Sequence, residues 1–282
     1  MLGQRVITAL VLLAVLLPTL WVASPWPFTA FVACAMAAAG WEWARLNGLQ
    51  GAAALGFGAL VLALGVAGHA LVAPVAFWSA WVSVAWVLGG SWALRGASPA
   101  WAALPQWGRL VLGPLVLLPA GWALLAWKAQ GLNALLSVLC LVWAADVFAY
   151  FAGRQFGRRK LAPAISPGKS WEGVWGGMLG VLCVAVVWSL WVDPLLQAQH
   201  GLSLFSQLRA GLGWPLAMLA GLALVTLSVM GDLFESLLKR AVGAKDSSQL
   251  LPGHGGVLDR IDALLPVLPA ALALAQFANL GA

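Results

Sequence analysis

The chain has 282 residues, 62% of them hydrophobic and only 9% charged, with a mean hydropathy of +0.93. A soluble protein carries charge on about a quarter of its residues, so a water-exposed surface of this composition would be a continuous apolar patch, and lipid is the expected solvent. Disorder requires low hydrophobicity and a secreted disulfide scaffold requires many cysteines. Cys34, Cys140 and Cys183 are odd in number, far apart and set in apolar runs, a pattern expected of buried thiols.

A spanning helix needs about 20 mainly apolar residues. Nine stretches qualify: 6–22, 27–44, 52–73, 75–94, 110–127, 132–151, 171–192, 211–231 and 263–280. The expected fold class is therefore all-α, a polytopic integral membrane protein. The first stretch follows Arg5 as a signal peptide would, but it is long and Pro25 follows the best cleavage point, so it reads as an anchor. With the N-terminus cytoplasmic, nine spans leave 13 of the 15 Lys and Arg residues on the cytoplasmic side, with Lys128 and Arg209 outside. The nearly uncharged turns around Pro25 and Pro74 then fall outside, as does the C-terminus.

Charge is unevenly distributed along the chain. Residues 1–140 hold one acid, Glu42, whereas residues 141–282 hold eight acids and ten bases. Residues 1–130 are expected to form a membrane scaffold of about five spans with interfacial tryptophans. Residues 131–282 are expected to form a catalytic region of about four spans, with cytoplasmic loops at 152–170 and 239–260. The net charge of +6 is spread over cytoplasmic loops, which suits anionic lipid headgroups and not nucleic acid.

Asp232, Glu235, Ser236 and Lys239 are spaced i, i+3, i+4, i+7 and share one helical face. Such a stripe in a membrane helix must face protein or water; a Glu235–Lys239 ion pair is its purely structural reading. The following loop contains Lys245-Asp246 and then Gly253-His254-Gly255-Gly256, glycines that let backbone approach a phosphate, or that simply make a reverse turn. Asp259 and Asp262 lie one helical turn apart at the start of the last span, and paired carboxylates suit a hard divalent cation. For Asp262 the alternative is helix capping. Asp146, Tyr150 and Arg154 form another helical face, whose structural reading is an Asp146–Arg154 link. Five bases in residues 154–169, interleaved with Gly and Ser, suit a triphosphate or a basic membrane-surface patch.

Ser236, Leu238-Lys239-Arg240, Lys245-Asp246, Ser248, Leu251-Pro252, His254-Gly255-Gly256 and Asp259-Arg260-Ile261-Asp262 together resemble the signature of the phosphatidate cytidylyltransferase, or CDP-diacylglycerol synthase, family. Asp146, Ala149-Tyr150, Gly153-Arg154, Phe156-Gly157, Ser166-Pro167, Lys169-Ser170 and Glu172-Gly173 resemble its second characteristic region. The resemblance implies transfer of CMP from CTP to phosphatidic acid, giving CDP-diacylglycerol and pyrophosphate in phospholipid biosynthesis. It implies Mg2+ at Asp232 and Asp259, with Asp246 and Asp262 as outer or alternative ligands. Lys239, Arg240, Lys245 and Arg260 would meet the substrate phosphates, and Gly255 and Gly256 beside His254 would shape the nucleotide loop. Asp146, Arg154, Lys169 and Ser170 would complete that pocket, with Ser236 and His254 as ligand contacts and not a catalytic dyad. The implied location is the plasma (inner) membrane with the active site facing the cytoplasm; a homodimer is left open.

A competing reading is an ion-coupled transporter of an anionic substrate, its intramembrane acids binding the coupling ion; paired broken helices in two repeated halves are absent from the sequence. A CDP-alcohol phosphotransferase would need an Asp-Gly-x-x-Ala-Arg opening, which is also absent.

Overall fold

The computed structural model describes residues 2–71 and 75–280, so the expected turn around Pro74 lies outside the described residues. The described residues form a bundle of twelve α-helices: α1 (Leu2–Trp21), α2 (Trp26–Leu46), α3 (Gly51–Leu71), α4 (Val75–Ala85), α5 (Ser91–Ala103), α6 (Gln106–Gln130), α7 (Leu132–Phe156), α8 (Trp171–Val187), α9 (Asp193–His200), α10 (Leu204–Ala241), α11 (Leu258–Ile261) and α12 (Leu264–Leu280). π-helical turns join α4 to α5 (Trp86–Gly90) and α8 to α9 (Trp188–Val192). Apolar solvent explains the near-exclusive use of helix, which satisfies every backbone group within its own segment.

Six helices among the described residues are long and apolar enough to cross a membrane: Gly51–Gly68, Gln106–Gln130, Leu132–Phe156, Trp171–Leu196, Leu204–Ala241 and Leu258–Leu280. Two expected boundaries shift for identifiable reasons. α10 extends well beyond 211–231 because its polar stripe continues as helix, and it kinks at Gly213, φ +73, two residues before Pro215. The 75–94 stretch continues through the π turn to Ala103 and kinks at Ala97, two residues before Pro99.

Two sets of contacts define the ends of the bundle. At one end Gln106 Nε2 donates to the Asn47 carbonyl (3.0 Å), Trp101 Nε1 donates to Asn47 Oδ1 (3.2 Å) and Thr8 Oγ1 donates to the Pro252 carbonyl (2.8 Å). At the other, Lys128 Nζ donates to the Leu20 carbonyl and Asn133 Nδ2 donates to the Gly201 carbonyl (2.7 Å). A two-stranded antiparallel hairpin, β1 (Lys160–Ala162) and β2 (Ser166–Ser170), sits at the first end, pairing Lys160 with Ser170 and Ala162 with Ser166. It lies inside the expected 152–170 loop.

α7 and α8 pack through small residues, as membrane helices do when no water drives them together. A Cβ at Gly177 would lie 2.7 Å from the Ala145 carbonyl oxygen, and one at Gly173 would lie 2.9 Å from that of Ala149. The first half grips α10 differently, through a cage of tryptophans around Phe234, with ring centroids at 5.3 Å (Trp86), 5.5 Å (Trp101) and 6.1 Å (Trp43). This corrects the expectation of interfacial tryptophans in part: Trp21, Trp26 and Trp107 are exposed, but Trp43, Trp101 and Trp127 are fully buried. The cysteine expectation is corrected too. Cys34 and Cys183 are exposed on the bundle exterior and Cys140 is half-buried, because in an apolar solvent an apolar run does not have to face the protein interior.

Removing the Phe234 ring would leave a cavity inside a rigid aromatic cage. Phe→Ala at a core site costs about 3–5 kcal/mol, so Phe234→Ala is expected to lower the thermal midpoint in detergent by about 10 °C, measured by differential scanning fluorimetry.

Candidate functional site at one end of the bundle

The hairpin places its side chains by strand alternation. Ser170 turns into the bundle, where its Oγ caps α8 by accepting from Gly173 N (3.2 Å). Lys169 turns the other way and pairs through Nζ with Asp232 Oδ2 on α10 at 2.5 Å. Glu172 ties the hairpin's entry, accepting from the backbone N–H groups of Arg158 (3.0 Å) and Arg159 (3.2 Å). Arg240 Nε reaches back from α10 to the Ile165 carbonyl (3.4 Å). The basic loop is thus an ordered ledge fixed to two helices.

The polar stripe of α10 is fully used. Asp232 Oδ1 accepts from Ser236 Oγ (3.3 Å). One turn on, buried Glu235 pairs with Lys239 Nζ, and the same ammonium meets Asp259 Oδ1 at 2.6 Å. The Glu235–Lys239 pair of the purely structural reading therefore exists, but as part of a triad that reaches another segment. Asp259 Oδ2 accepts three more hydrogen bonds: from Ser247 N (2.9 Å), Ser247 Oγ (2.8 Å) and Gly256 N (2.7 Å).

Between these anchors the glycine loop closes on itself. Leu251 N donates to the Gly255 carbonyl (2.8 Å), His254 N to the Leu251 carbonyl (2.8 Å) and Arg260 Nη2 to the His254 carbonyl (2.7 Å). Gly255 has φ +81, and a Cβ there would sit 2.7 Å from Asp259 Oδ2 and 3.5 Å from Asp246 Cβ, so both conformation and space demand glycine. The buried Nδ1 of His254 has no hydrogen-bond partner among the described residues. Asp262 Oδ1 accepts from the next residue's N–H, Ala263 (2.7 Å), while its backbone carbonyl packs against Gly231, where a Cβ would approach to 2.4 Å. That contact sets Asp262 beside Asp232.

Two cavities open from this end. One of about 480 Å³ is lined by Asp146, Tyr150, Arg154, Lys169, Ser170 and Asp232. The other, about 1060 Å³, lies across the loop and is lined by Trp41, Arg45, Gln50, Lys245, Asp246 and Ser247. The predicted residues therefore gather at one end but not at one point. Asp146 and Arg154 do share a cavity wall, although Arg154 Nη1 donates to the Tyr150 hydroxyl (3.2 Å) and not to Asp146.

No group of three or more His, Cys, Asp and Glu side chains forms a ready metal cage among the described residues. The donor chemistry nevertheless fits a hard divalent cation: Asp146, Asp232 and Asp262 are carboxylates within electrostatic range of one another or of Lys169, and such cations take one or two carboxylates plus substrate oxygens. Asp259 is committed at Oδ2 to three hydrogen bonds and at Oδ1 to Lys239. Asp246 is exposed at the mouth of the larger cavity.

The sequence reading gave no role to Glu42. It reaches the loop from α2, fully buried, and bonds to Ser247, Ser248, Val257 and Leu258. Its signal was its isolation as the sole acid of the first 140 residues, in a region where a lone charge requires partners.

The sequence matches the cytidylyltransferase family pattern over residues 3–278. It is 41% identical, over 295 aligned positions covering all of both chains, to the phosphatidate cytidylyltransferase of Pseudomonas aeruginosa. The enzyme of the same name from Haemophilus influenzae is 49% identical over 140 residues, 50% of this chain and 44% of that one. That of Thermotoga maritima is 47% identical over 137 residues, 49% of this chain and 46% of that one.

Ser170 tests whether the ledge is a separate stabilising element. Loss of an N-cap hydroxyl costs about 1 kcal/mol, so Ser170→Ala is expected to lower the thermal midpoint by about 2–4 °C and to raise amide hydrogen exchange in residues 160–175, read by mass spectrometry.

Proposed function

Because the chain belongs to the cytidylyltransferase family, we infer that it transfers CMP from CTP to the phosphate of phosphatidic acid, forming CDP-diacylglycerol and pyrophosphate. The observation that carries this reading is the convergence of Asp146, Arg154, Lys169 and Asp232 on one cavity, beside the loop held by Lys239 and Asp259. Both substrates are polyanions, so cationic groups have to meet them before the two phosphorus centres can approach.

In the reaction a phosphate oxygen of the lipid attacks the α-phosphorus of CTP. The new P–O bond forms as the bond to the bridging oxygen breaks, and pyrophosphate leaves with that electron pair. The nucleophile comes with the substrate, so no protein group has to form a covalent intermediate, consistent with a Ser236 hydroxyl that donates to Asp232. Lys169 and Arg154 suit the phosphates in the smaller cavity, and Arg240, Lys245 and Arg260 flank the loop from outside. Lys239 is held between two carboxylates and orients Asp259. The residues that would hold Mg2+ are Asp232 and Asp262; Asp259, expected as a ligand, would reach the ion only by giving up its Oδ1 contact with Lys239. When bound, the ion would neutralise phosphate charge and raise the electrophilicity of phosphorus.

The proposed topology is nine crossings with the N-terminus and site in the cytoplasm and the C-terminus outside, in the inner membrane. Supporting it, Thr8 of α1 bonds to the site loop at Pro252, and Lys128, one of the two bases expected outside, bonds at the opposite end. CTP is a cytosolic solute, and the acyl chains remain in the bilayer.

Purified protein given phosphatidic acid, labelled CTP and Mg2+ is expected to yield a CMP-bearing lipid, with Asp232→Asn reducing kcat by about 10²–10³-fold at an unchanged thermal midpoint. Absence of labelled lipid with wild type would sink the activity; full turnover in the variant would sink the role of Asp232. Topology is checked separately, in a chain whose three cysteines are replaced. His200→Cys is expected to react with a membrane-impermeant maleimide on intact spheroplasts, and Gln249→Cys only after permeabilisation.

A further inference from the structure

Glu42 is fully buried in α2, and among the described residues its carboxylate takes four hydrogen bonds, all from the site loop. Oε1 accepts from Ser248 Oγ (2.6 Å) and Val257 N (2.9 Å), and Oε2 accepts from Leu258 N (2.6 Å) and Ser247 Oγ (3.1 Å). A buried carboxylate is costly unless its lone pairs are taken up, and bonds from neutral donors to an ionised acceptor are among the stronger ones. Glu42 therefore closes the loop like a clasp, binding both its start at 247–248 and its end at 257–258.

The clasp connects directly to Asp259. Ser247 shares its single hydroxyl proton between the two carboxylates as a bifurcated donor, 2.8 Å from Asp259 Oδ2 and 3.1 Å from Glu42 Oε2. Leu258, bonded to Glu42 through its N–H, immediately precedes Asp259 in the chain. Gly256 shows how tight the joint is: a Cβ there would lie 2.3 Å from Glu42 Oε1 and 2.1 Å from Ser247 Oγ, while its N–H donates to Asp259 Oδ2. Glycine at 256 is thus required by the Glu42 carboxylate itself.

We propose that Glu42 is a positioning residue for the transfer reaction: from the first half of the chain it fixes the 247–258 loop and, through Ser247 and Leu258, the orientation of Asp259. It touches no substrate. The inference rests on the reading of this loop as the CTP-binding segment. It assigns to α2 a task that a membrane scaffold would not have, and it predicts that damage at Glu42 is felt at the nucleotide and not at the lipid.

Glu42→Gln is the sharp test, because an amide keeps the shape but can accept on one side only, turning its NH2 toward two donors. The variant is expected to raise KM for CTP at least tenfold while KM for phosphatidic acid stays within twofold, and to speed amide exchange in residues 245–258 of the ligand-free protein while α6 and α7 exchange as in wild type. Ser248→Ala, which removes one donor of the four, is expected to give a smaller shift of the same kind. Unchanged KM for CTP with wild-type exchange in the loop would overturn the proposal, as would exchange rising uniformly across the chain with both KM values unaltered, since that is simple destabilisation. If wild type transferred no CMP but Glu42→Gln still loosened only residues 245–258, the activity would fail while the clasp stood.

Discussion

The Lys239 ammonium is the joint on which the site depends. It lies between Glu235 on its own helix and Asp259 beyond the loop, and the three side chains are largely withdrawn from solvent, at 13%, 1% and 6% exposure. Removing one partner of a buried pair leaves an uncompensated charge at about 3–5 kcal/mol. The triad therefore fixes the distance between α10 and α11, and with it the path of the loop between them. Lys169 and Asp232 make the contrasting pair, at 26% and 30% exposure on a cavity wall. A screened, accessible pair can be exchanged for a ligand; a sealed one holds its shape. The same chemical types at neighbouring positions thus divide into a sealed joint and an open pair on a cavity wall.

The supporting packing follows from the solvent. Lipid gives apolar helices no reason to prefer one another, so association has to come from shape. α7 and α8 find it in glycines that admit backbone oxygens, and α10 finds it in Phe234, set into Trp43, Trp86 and Trp101. Phe234 immediately precedes Glu235 in α10. The aromatic cage and the polar joint are therefore two faces of the same stretch of α10, one holding the helix against the first half of the chain and the other presenting its charges.

Much of this was legible in sequence because helical periodicity is local. The spacing of Asp232, Glu235, Ser236 and Lys239 gave one face, and the face exists. The position of Asp259 relative to Lys239 was not legible, because the loop that sets it folds through Ser247, Gly256 and Glu42, and the last is 205 residues from Ser247. Arg154 shows the same limit on a shorter scale: periodicity aligned it with both Tyr150 and Asp146, but only side-chain reach chose the hydroxyl. The cysteines and tryptophans failed for a different reason. Hydrophobicity sorts inside from outside only in water, so in a membrane chain it says where lipid is tolerated and not which residues the protein encloses.

A buried acid in such a chain is a pointer to function only until its partners are counted. At the opposite end Asp193, 2% exposed, accepts from Asn133 Nδ2 (2.7 Å) and Ser203 Oγ (2.5 Å), and Asn133 Oδ1 in turn accepts from Trp188 Nε1 (2.9 Å). Every group in that knot is answered by another protein group, and it secures the π turn and the start of α10. Glu42 is equally buried and equally answered, yet its donors all belong to a loop that also orients Asp259, so satisfying it does work at a distance. Among the described residues Asp232 is answered by Lys169 and Ser236, on the wall of an open cavity. The three acids mark a gradation from closed staple through loop clasp to an acid on an open cavity wall, and what separates them is where their hydrogen-bond donors lead, not how deeply they are buried.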